Sequence, residues 1–381
     1  MTALNHLYIH IPFCRSKCLY CDFFSGGAKT ADFSRYADAL IEELRLRADT
    51  LPGEYDTLYI GGGTPSILPP ALIRRIAEAA GDLLPWHGDR PAEFTLEANP
   101  DDITDARCRE WRDAGVNRLS LGIQSFSDPL LKSMRRSHDA ATGRRALGIL
   151  ASHFDNFSLD LIFGIPGQTL DIWRRDIEEA LSFHPVHISC YSMMYEQGTA
   201  LTALRDAGRL RPVDEETSLL MYDHLRRRLR DAGYEHYEIS NFSLPGRRSL
   251  HNSAYWTGEP YLGLGPAAHS YDGHRRRTAN PHDIRGYIAR YSGQGDSQPF
   301  ASVEILSDDE LREEMIMLSM RTCEGLSLQR YAEKFSAAEA SRVLCIARKA
   351  AERGEVVVAD DYIRLTDKGI MVADDLILRL I

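Results

Sequence analysis

Along the first half of the chain, apolar and polar positions repeat one unit. It is a short β-branched run, a loop holding Gly, Pro or Asn, then an amphipathic stretch of helical period. The runs predict strands at Leu7–Ile11, Thr57–Ile60, Glu93–Glu97, Arg118–Gly122, Phe157–Ile162 and His187–Tyr191. Helices are predicted between them at Asp32–Ala48, Pro70–Leu84, Asp105–Ala114, Pro129–Ala151 and Leu170–Ser182. Ser127 ahead of Pro129 and Thr169 ahead of Leu170 act as helix-start signals. Strands joined by crossover helices pair in parallel. Six strands are fewer than the eight of a closed barrel. The expectation is an α/β chain with an open parallel sheet, a partial (β/α)6 barrel over residues 1–200.

Beyond residue 200 the alternation fades, and residues 201–300 read as a loop-rich extension with short strands. From Ser307 a second pattern predicts helices at Asp308–Arg321, Ser327–Phe335 and Ala337–Arg353. Strands at Val356–Ala359 and Tyr362–Leu365 and a last helix complete a smaller, winged-helix-like α+β domain over residues 301–381.

A chain of 381 residues buries one large core with a smaller companion. With 45 basic and 55 acidic residues, the net charge of −10 argues against broad, charge-driven binding to nucleic acid or anionic membrane. A winged-helix-like unit raises DNA binding, yet residues 301–381 hold 16 acidic against 11 basic side chains. Duplex binding draws most of its affinity from neutralised phosphates, so no nucleic-acid partner is expected. Residues 1–13 lack a basic segment and His6 and His10 interrupt their apolar run, unlike a signal peptide. No stretch reaches the roughly 18 apolar residues of a membrane span. The expectation is a cytoplasmic protein with no transmembrane segment. Seven cysteines, three of them clustered, suit free thiols in a reducing compartment better than a disulfide framework.

Cys14-x-x-x-Cys18-x-x-Cys21 is the strongest chemical signal. The same spacing fits one face of a helix, where cysteine packs as a small hydrophobe. Pro12 and the preceding strand pattern oppose that, and a helix would spread the first and third Cα over about 10 Å of rise. Structural zinc takes four ligands; the motif supplies three, has Phe23 where a nearby fourth would stand, and would need a distant His. Three thiolates match a [4Fe–4S] cluster with one open iron. Such an iron chelates the amino and carboxylate groups of S-adenosylmethionine (SAM) and delivers the electron that cleaves its C–S bond. That chemistry calls for an electron donor. Thiol spacing alone leaves iron–sulfur and zinc both open.

The cysteine loop follows the first strand, on the face where sites of barrel folds gather. The other strands lead into Gly61-Gly62-Gly63-Thr64-Pro65, Glu97-Ala98-Asn99-Pro100, Gln124-Ser125-Phe126, Asp160 with Gly164-Ile165-Pro166-Gly167, and Ser189 to Met194. Three glycines let backbone amides approach a ligand's charged ends, or simply make a tight turn. Glu97 and Asp160 suit ribose hydroxyls and an ammonium, and equally a helix N-terminus and a satisfied buried acid. Gln124 and Arg136 read equally well as surface groups. Recurrence at successive strand ends singles these residues out together.

With these residues in view, the chain resembles the radical SAM family that includes the oxygen-independent coproporphyrinogen III dehydrogenases and the HemW-type haem chaperones. The likeness rests on Tyr8-x-His10-x-Pro12-Phe13-Cys14, Gly61-Gly62-Gly63-Thr64-Pro65-Ser66, Glu97-Ala98-Asn99-Pro100 and Gly115-Val116-Asn117-Arg118. It continues through Gly122-Ile123-Gln124-Ser125-Phe126, Asp160-Leu161-Ile162-Phe163-Gly164-Ile165-Pro166 and His251-Asn252-x-x-Tyr255-Trp256. The resemblance implies that Cys14, Cys18 and Cys21 ligate the cluster. It also implies that Tyr8, Gly62, Gly63, Thr64, Glu97, Gln124, Arg136 and Asp160 line the SAM pocket.

Three family marks favour the chaperone branch. Phe23 stands where the dehydrogenases carry a further cysteine, Cys14 is reached without their N-terminal extension, and residues 251–256 look like the haem-chaperone signature. Haem is then an implied ligand: a His such as His251 can ligate its iron, and Tyr255 and Trp256 offer flat apolar area. The plain alternative is that the aromatics pack core while His251 caps a turn. Arg247-Arg248 and Arg275-Arg276-Arg277 can pair propionates but read more simply as solvated charge, and His269 is a further loop candidate. The expected function is a haem chaperone that transfers haem to an acceptor protein, membrane-associated acceptors included. The alternatives are a coproporphyrinogen III dehydrogenase or a radical SAM enzyme for another large substrate.

Overall fold

Six parallel strands lie side by side in chain order: β1 (Asn5–Ile11), β2 (Tyr55–Gly62), β3 (Glu93–Ala98), β4 (Arg118–Gln124), β5 (Phe157–Phe163) and β6 (His187–Ser192). The computed structural model describes residues 4–27, 30–294 and 301–381. Along each strand, alternate residues point to opposite faces. Leu7, Ile9 and Ile11 of β1, Leu58 and Ile60 of β2, Phe94 and Leu96 of β3 and Leu119 and Leu121 of β4 join one buried core. The helices between strands supply its other half, with Leu40, Ile73, Trp111, Leu147 and Trp173. The intervening positions are polar, and the register lines them up. Tyr8 pairs with Tyr59, Glu97 with Ser120, Gly122 with Asp160, and Asp160 with Ser189.

The crossover helices are α1 (Thr30–Arg47), α2 (Pro70–Leu83), α3 (Asp105–Asp113), α4 (Asp128–Ser133), α5 (Ala140–His153) and α6 (Leu170–Ser182). The pattern over Pro129–Ala151 predicts one helix; the structure makes two. Arg135 sits at φ 57° after α4, and the Asp139 side chain caps α5 by accepting from the Thr142 amide. An aspartate cap inside an otherwise helical pattern restarts a helix, and the break delivers Arg136 to the inner sheet face.

The sheet is open and longer than six strands. Beyond β6 lie β7 (Glu235–Glu238) and β8 (Asn241–Ser243); beyond β1 lie β9 (Tyr261–Leu264), β10 (His269–Tyr271), β11 (Arg276–Ala279) and β12 (Ser302–Ile305). The order is β12-β11-β10-β9-β1-β2-β3-β4-β5-β6-β8-β7. Residues 201–300 are therefore not mainly loop. They extend the sheet at both edges and include a 17-residue helix at Glu215–Asp231. Its buried stripe includes only Met221, Leu225 and Leu229 among apolar residues, too narrow against its many charges to stand out as amphipathic.

The C-terminal unit has its own core of Ile316, Met320, Val343, Ala347, Ile363, Leu376 and Leu380. Its element order is Asp308–Met320 helix, Leu326–Ser327 strand, Leu328–Lys334 and Ala337–Glu352 helices, Val356–Ala359 and Tyr362–Leu365 strands, then Ala373–Leu380 helix. The three strands form one small antiparallel sheet, the arrangement of a winged-helix-like unit. Asp367 ties it to the Glu215–Asp231 helix through Arg226 and, at 2.9 Å, Arg230.

One buried carboxylate holds α1 to the extended edge of the sheet. Glu43 is fully buried and accepts from Arg47 Nη1 (2.9 Å), Asn280 Nδ2 (2.8 Å), the Gly265 amide (2.8 Å) and Tyr287 Oη (2.6 Å). Removing it takes the charge partner from the half-buried Arg47 and the acceptor from the buried Gly265 amide. Glu43→Ala is expected to cost about 3–5 kcal/mol in urea unfolding. Glu42→Ala, one residue away in an exposed pair with Arg45, should change stability by no more than about 1 kcal/mol.

Candidate functional site

The cysteine loop leaves β1 at Ile11 and folds back on itself, with the Gly26 amide donating to Pro12 O at 2.8 Å. His10 fixes the loop to the sheet. Its Nε2 donates to Phe24 O (2.9 Å), and its Nδ1 meets Tyr8 Oη (3.0 Å). The glycine turn after β2 closes against this loop, the Gly63 amide donating to Ile11 O at 2.8 Å. A Cβ on Gly63 would stand 2.8 Å from Phe13 O and 3.0 Å from Cys14 Sγ. A Cβ on Gly62, at φ 111°, would stand 2.7 Å from the His10 ring. Only glycine permits that approach.

Cys14, Cys18 and Cys21 are half-buried free thiols on one cavity wall. Thr64 Oγ1 lies 3.4 Å from Cys14 Sγ. Arg136 Nη1 reaches Cys18 Sγ at 3.6 Å, while its Nη2 bonds Asn99 Oδ1 (2.9 Å) and Gly122 O (2.6 Å). Burial pushes the Cys21 thiol up to about 11, and the neighbouring Cys18 and Cys14 add to the rise. Among the described residues no three His, Cys, Asp or Glu side chains close on a point for a single metal ion. The donor set fits a [4Fe–4S] cluster: three crowded thiols gain from bonding to cationic iron, a guanidinium offsets their charge, and glycine leaves the loop room.

Twelve of the residues singled out in the sequence line one cavity of about 490 Å³: Tyr8, Cys14, Cys18, Cys21, Gly62, Gly63, Thr64, Glu97, Gln124, Arg136, Asp160 and His251. Its size suits a single small ligand. Glu97 accepts from Tyr59 Oη (2.7 Å) and the Gly62 amide (3.1 Å). Burial outweighs those bonds, and with Asp160 nearby raises its carboxyl from 4.5 to about 7. Asp160 accepts from Ser120 Oγ (3.2 Å), and burial raises it from 3.8 to about 6 against help from Ser189 and Arg118. The unfolded chain gives up these two protons near its ordinary carboxylate values, the folded chain only near 6 and 7. The burial cost is thus absent in acid, and stability drains away as pH rises through that window. A cation in the cavity reverses the cost.

Sequence reading missed several members of the wall, Arg118 and Tyr59 among them. Arg118 is buried beneath the acids, with Nη1 3.4 Å from Thr95 Oγ1 and Nε 3.9 Å from Glu93. Tyr59 orients Glu97. Both were legible as polar residues alternating with apolar ones in β4 and β2. The residues of the 251–256 block part company: His251 and Tyr255 line the cavity, whereas Trp256 does not. His251 is 2% exposed, its ring stacked at 4.9 Å on Tyr59. Both its nitrogens are engaged, Nδ1 with Thr57 Oγ1 and Nε2 with Tyr255 Oη. The arginine groups lie elsewhere: Arg248 pairs with Glu324, Arg275 with Asp308 and Arg277 with Glu314. His269, on β10, is exposed and outside the cavity.

Known proteins resemble this chain in sequence and in fold. A model of the radical SAM superfamily matches residues 8–180, and one of the HemN C-terminal domain matches residues 306–372. A Bacillus subtilis protein named heme chaperone HemW is 35% identical over 98% of this chain and 98% of its own length. A mouse protein, radical S-adenosyl methionine domain-containing protein 1, mitochondrial, is 32% identical over 98% of this chain and 87% of its own. The solved structure of coproporphyrinogen III oxidase (HemN) from Escherichia coli, a radical SAM enzyme, shares the fold. It has a TM-score of 0.84 at 22% identity, covering 99% of this chain and 90% of that one. The cofactors that go with radical SAM proteins are a [4Fe–4S] cluster and SAM, and no helix among the described residues is long and apolar enough to cross a membrane. By end-to-end sequence identity, by its two matched regions and by its fold, the chain belongs to the HemW family of the radical SAM superfamily.

Proposed function

We propose that this protein is a haem chaperone that binds haem and passes it to an acceptor protein, with the cluster and SAM held in the barrel cavity. The observation that carries the reading is one cavity with two characters. Its inner part gathers three thiols, Arg136 and two proton-holding carboxylates, and its lining also includes the exposed apolar side chains Phe23, Tyr191 and Met194.

In this reading Cys14, Cys18 and Cys21 hold the cluster. Tyr8, Gly62, Gly63, Thr64, Glu97, Gln124, Arg136 and Asp160 hold SAM. The cluster supplies one electron to SAM when both are bound. The chain's own part is to place the charged ends of SAM: Gly62 and Gly63 let the ligand close on the backbone, and Glu97 and Asp160 offer carboxylates to its cationic and hydroxyl groups. In this reading the porphyrin lies at the exposed side of the cavity, where Phe23 and Tyr191 give flat area and Met194 a thioether of the kind that ligates haem iron. His251 belongs to the cavity wall here, since both its ring nitrogens are already bonded. Phe23 carries the distinction from a decarboxylating enzyme: the place of a further cysteine is taken by a ring that is 59% exposed. The relatives at 30% identity and above named heme chaperones also weigh against the dehydrogenase reading.

Three tests follow. Cys18→Ser, prepared anaerobically, is expected to lose the brown cluster absorbance and acid-labile sulfide; Cys345→Ser, an exposed cysteine outside the cavity, is expected to keep both. Because Glu97 sheds its proton only near 7, binding of cationic SAM should tighten as pH rises from 6 to 8 and then level off. Glu97→Gln should bind SAM more weakly and without that rise, as read by equilibrium dialysis. Finally, haemin should give a saturable Soret change weakened in Met194→Ala. Reconstituted protein given SAM, reductant and coproporphyrinogen should yield no multiple-turnover protoporphyrinogen; steady turnover would make it the enzyme instead.

A further inference from the structure

A strained turn ends β4 at the edge of the cavity. The Ser125 amide donates to Ile123 O at 2.9 Å, across Gln124, which stands at φ 68°. A three-residue turn of that hand is rare, and a side chain at its centre is strained. The ladder to β5 slips at the same point, between Gly122 and Gln124. Gln124 lines the cavity and is 8% exposed, yet its side-chain amide makes no hydrogen bond to another described residue. A Cβ on Gly122 would stand 2.8 Å from Gln124 Nε2 and 3.3 Å from Arg136 Nη2. The bare glycine therefore seats a free amide beside the guanidinium.

Strain of this kind persists only where the surroundings hold it. Here the hold comes from α6. Asp176 lies outside the cavity, on the buried stripe of that helix with Trp173, Ile177 and Ala180. A carboxylate stays in such a place only when bonded. Its Oδ2 accepts from Ser125 Oγ at 2.7 Å and its Oδ1 from the Phe126 amide at 2.9 Å. Among the described residues it hydrogen-bonds to these two alone, and they directly follow Gln124. Lesser braces surround the pair. Ser125 Oγ accepts from the Ser127 amide at 3.1 Å, His138 Nε2 donates to Ile123 O at 3.2 Å, and the Phe126 ring stacks on Phe183. Without Asp176, Ser125 and Phe126 lose the partner that keeps them turned. The backbone at Gln124 is then free to return to negative φ, and the amide leaves its place over Gly122.

We propose that Asp176 is a positioning residue for SAM, acting through the turn at Gln124. The proposal rests on the reading of the cavity as the SAM site. Asp176 itself touches no ligand. It pins Ser125 and Phe126, these hold Gln124 at positive φ, and the Gln124 amide faces the cavity with its donors and acceptor unspent. The strain is held by the fold before the ligand arrives, so little ordering of that side chain is left for binding to do.

The test is a double-mutant cycle on the SAM affinity of the cluster-loaded protein, read by equilibrium dialysis, with iron and acid-labile sulfide measured for each variant. Asp176→Ala is expected to keep the cluster and bind SAM at least about tenfold more weakly, the loss of one amide's bonds to a charged ligand. Gln124→Gly, which relieves the strain and removes the amide, should show a similar loss. With Gln124→Gly in place, adding Asp176→Ala should change the affinity by no more than about twofold, because nothing remains to be positioned. Asp176→Asn can meet the Phe126 N–H with oxygen and Ser125 Oγ with nitrogen, and should recover most of the affinity. Parent-like binding by Asp176→Ala, or losses that multiply in the double variant, overturn the proposal. Should Asp176→Ala fail to fold or to load its cluster, Ser125→Ala, which deletes only the 2.7 Å bond, carries the same cycle. Parent-like binding there overturns it equally. A parent that binds no SAM overturns the cavity reading and this role together, and the absent isotherm shows it before any substitution is made.

Discussion

A parallel strand buried on both faces needs apolar residues on both, and the six central strands here have them on only one. That constraint governs the rest of the structure. The outer face packs against helices as an ordinary core. The inner face carries Tyr8, Tyr59, Glu97, Arg118, Ser120 and Asp160, which cannot fill a barrel interior as layers of branched side chains do. Buried polar groups are tolerated only when bonded, so they bond to one another across neighbouring strands and leave a cavity between them. Within it, burial keeps Glu97 and Asp160 protonated to about 7 and 6. The empty site stores a desolvation cost that a cationic ligand relieves.

The loops complete what the inner face begins. Glycine at 62 and 63 brings one turn against the cysteine loop, and His10 fixes that loop to β1. Arg136 spans from Cys18 to the end of β4 because the chain breaks its helix at residues 134–139 to let it do so. The cysteine loop, the glycine turn and Arg136 thus brace one another around the cavity.

Much of this was legible in the sequence. The strands and most helices follow from periodicity, and Gly62, Gly63, Thr64, Glu97 and Gln124 were singled out at strand ends that the fold brings to one cavity. What escaped has physical reasons. Arg118 and Tyr59 lie within apolar runs, visible only when strands are read at period two on their polar side. The α4–α5 break hides because Asp139 looks like one more polar position on a helix until it is seen capping one. The Glu215–Asp231 helix buries too narrow a stripe to announce itself. The edge strands β7 to β12 are only three or four residues long, too short to show an alternating pattern of their own. His251 was singled out as a possible ligand for iron, and its hydrogen bonds to Thr57 and Tyr255 could not be read from the sequence because those partners meet it only in the fold.

The account stands on three sulfurs presenting a cluster to a nucleoside in this cavity. Electron paramagnetic resonance of the anaerobically reconstituted, reduced protein measures that most directly. The account expects a [4Fe–4S]⁺ signal whose g-values move when SAM is added, with hyperfine coupling to the nitrogen of ¹⁵N-labelled SAM. A protein that binds no iron and sulfide, or a cluster signal indifferent to SAM, would contradict it.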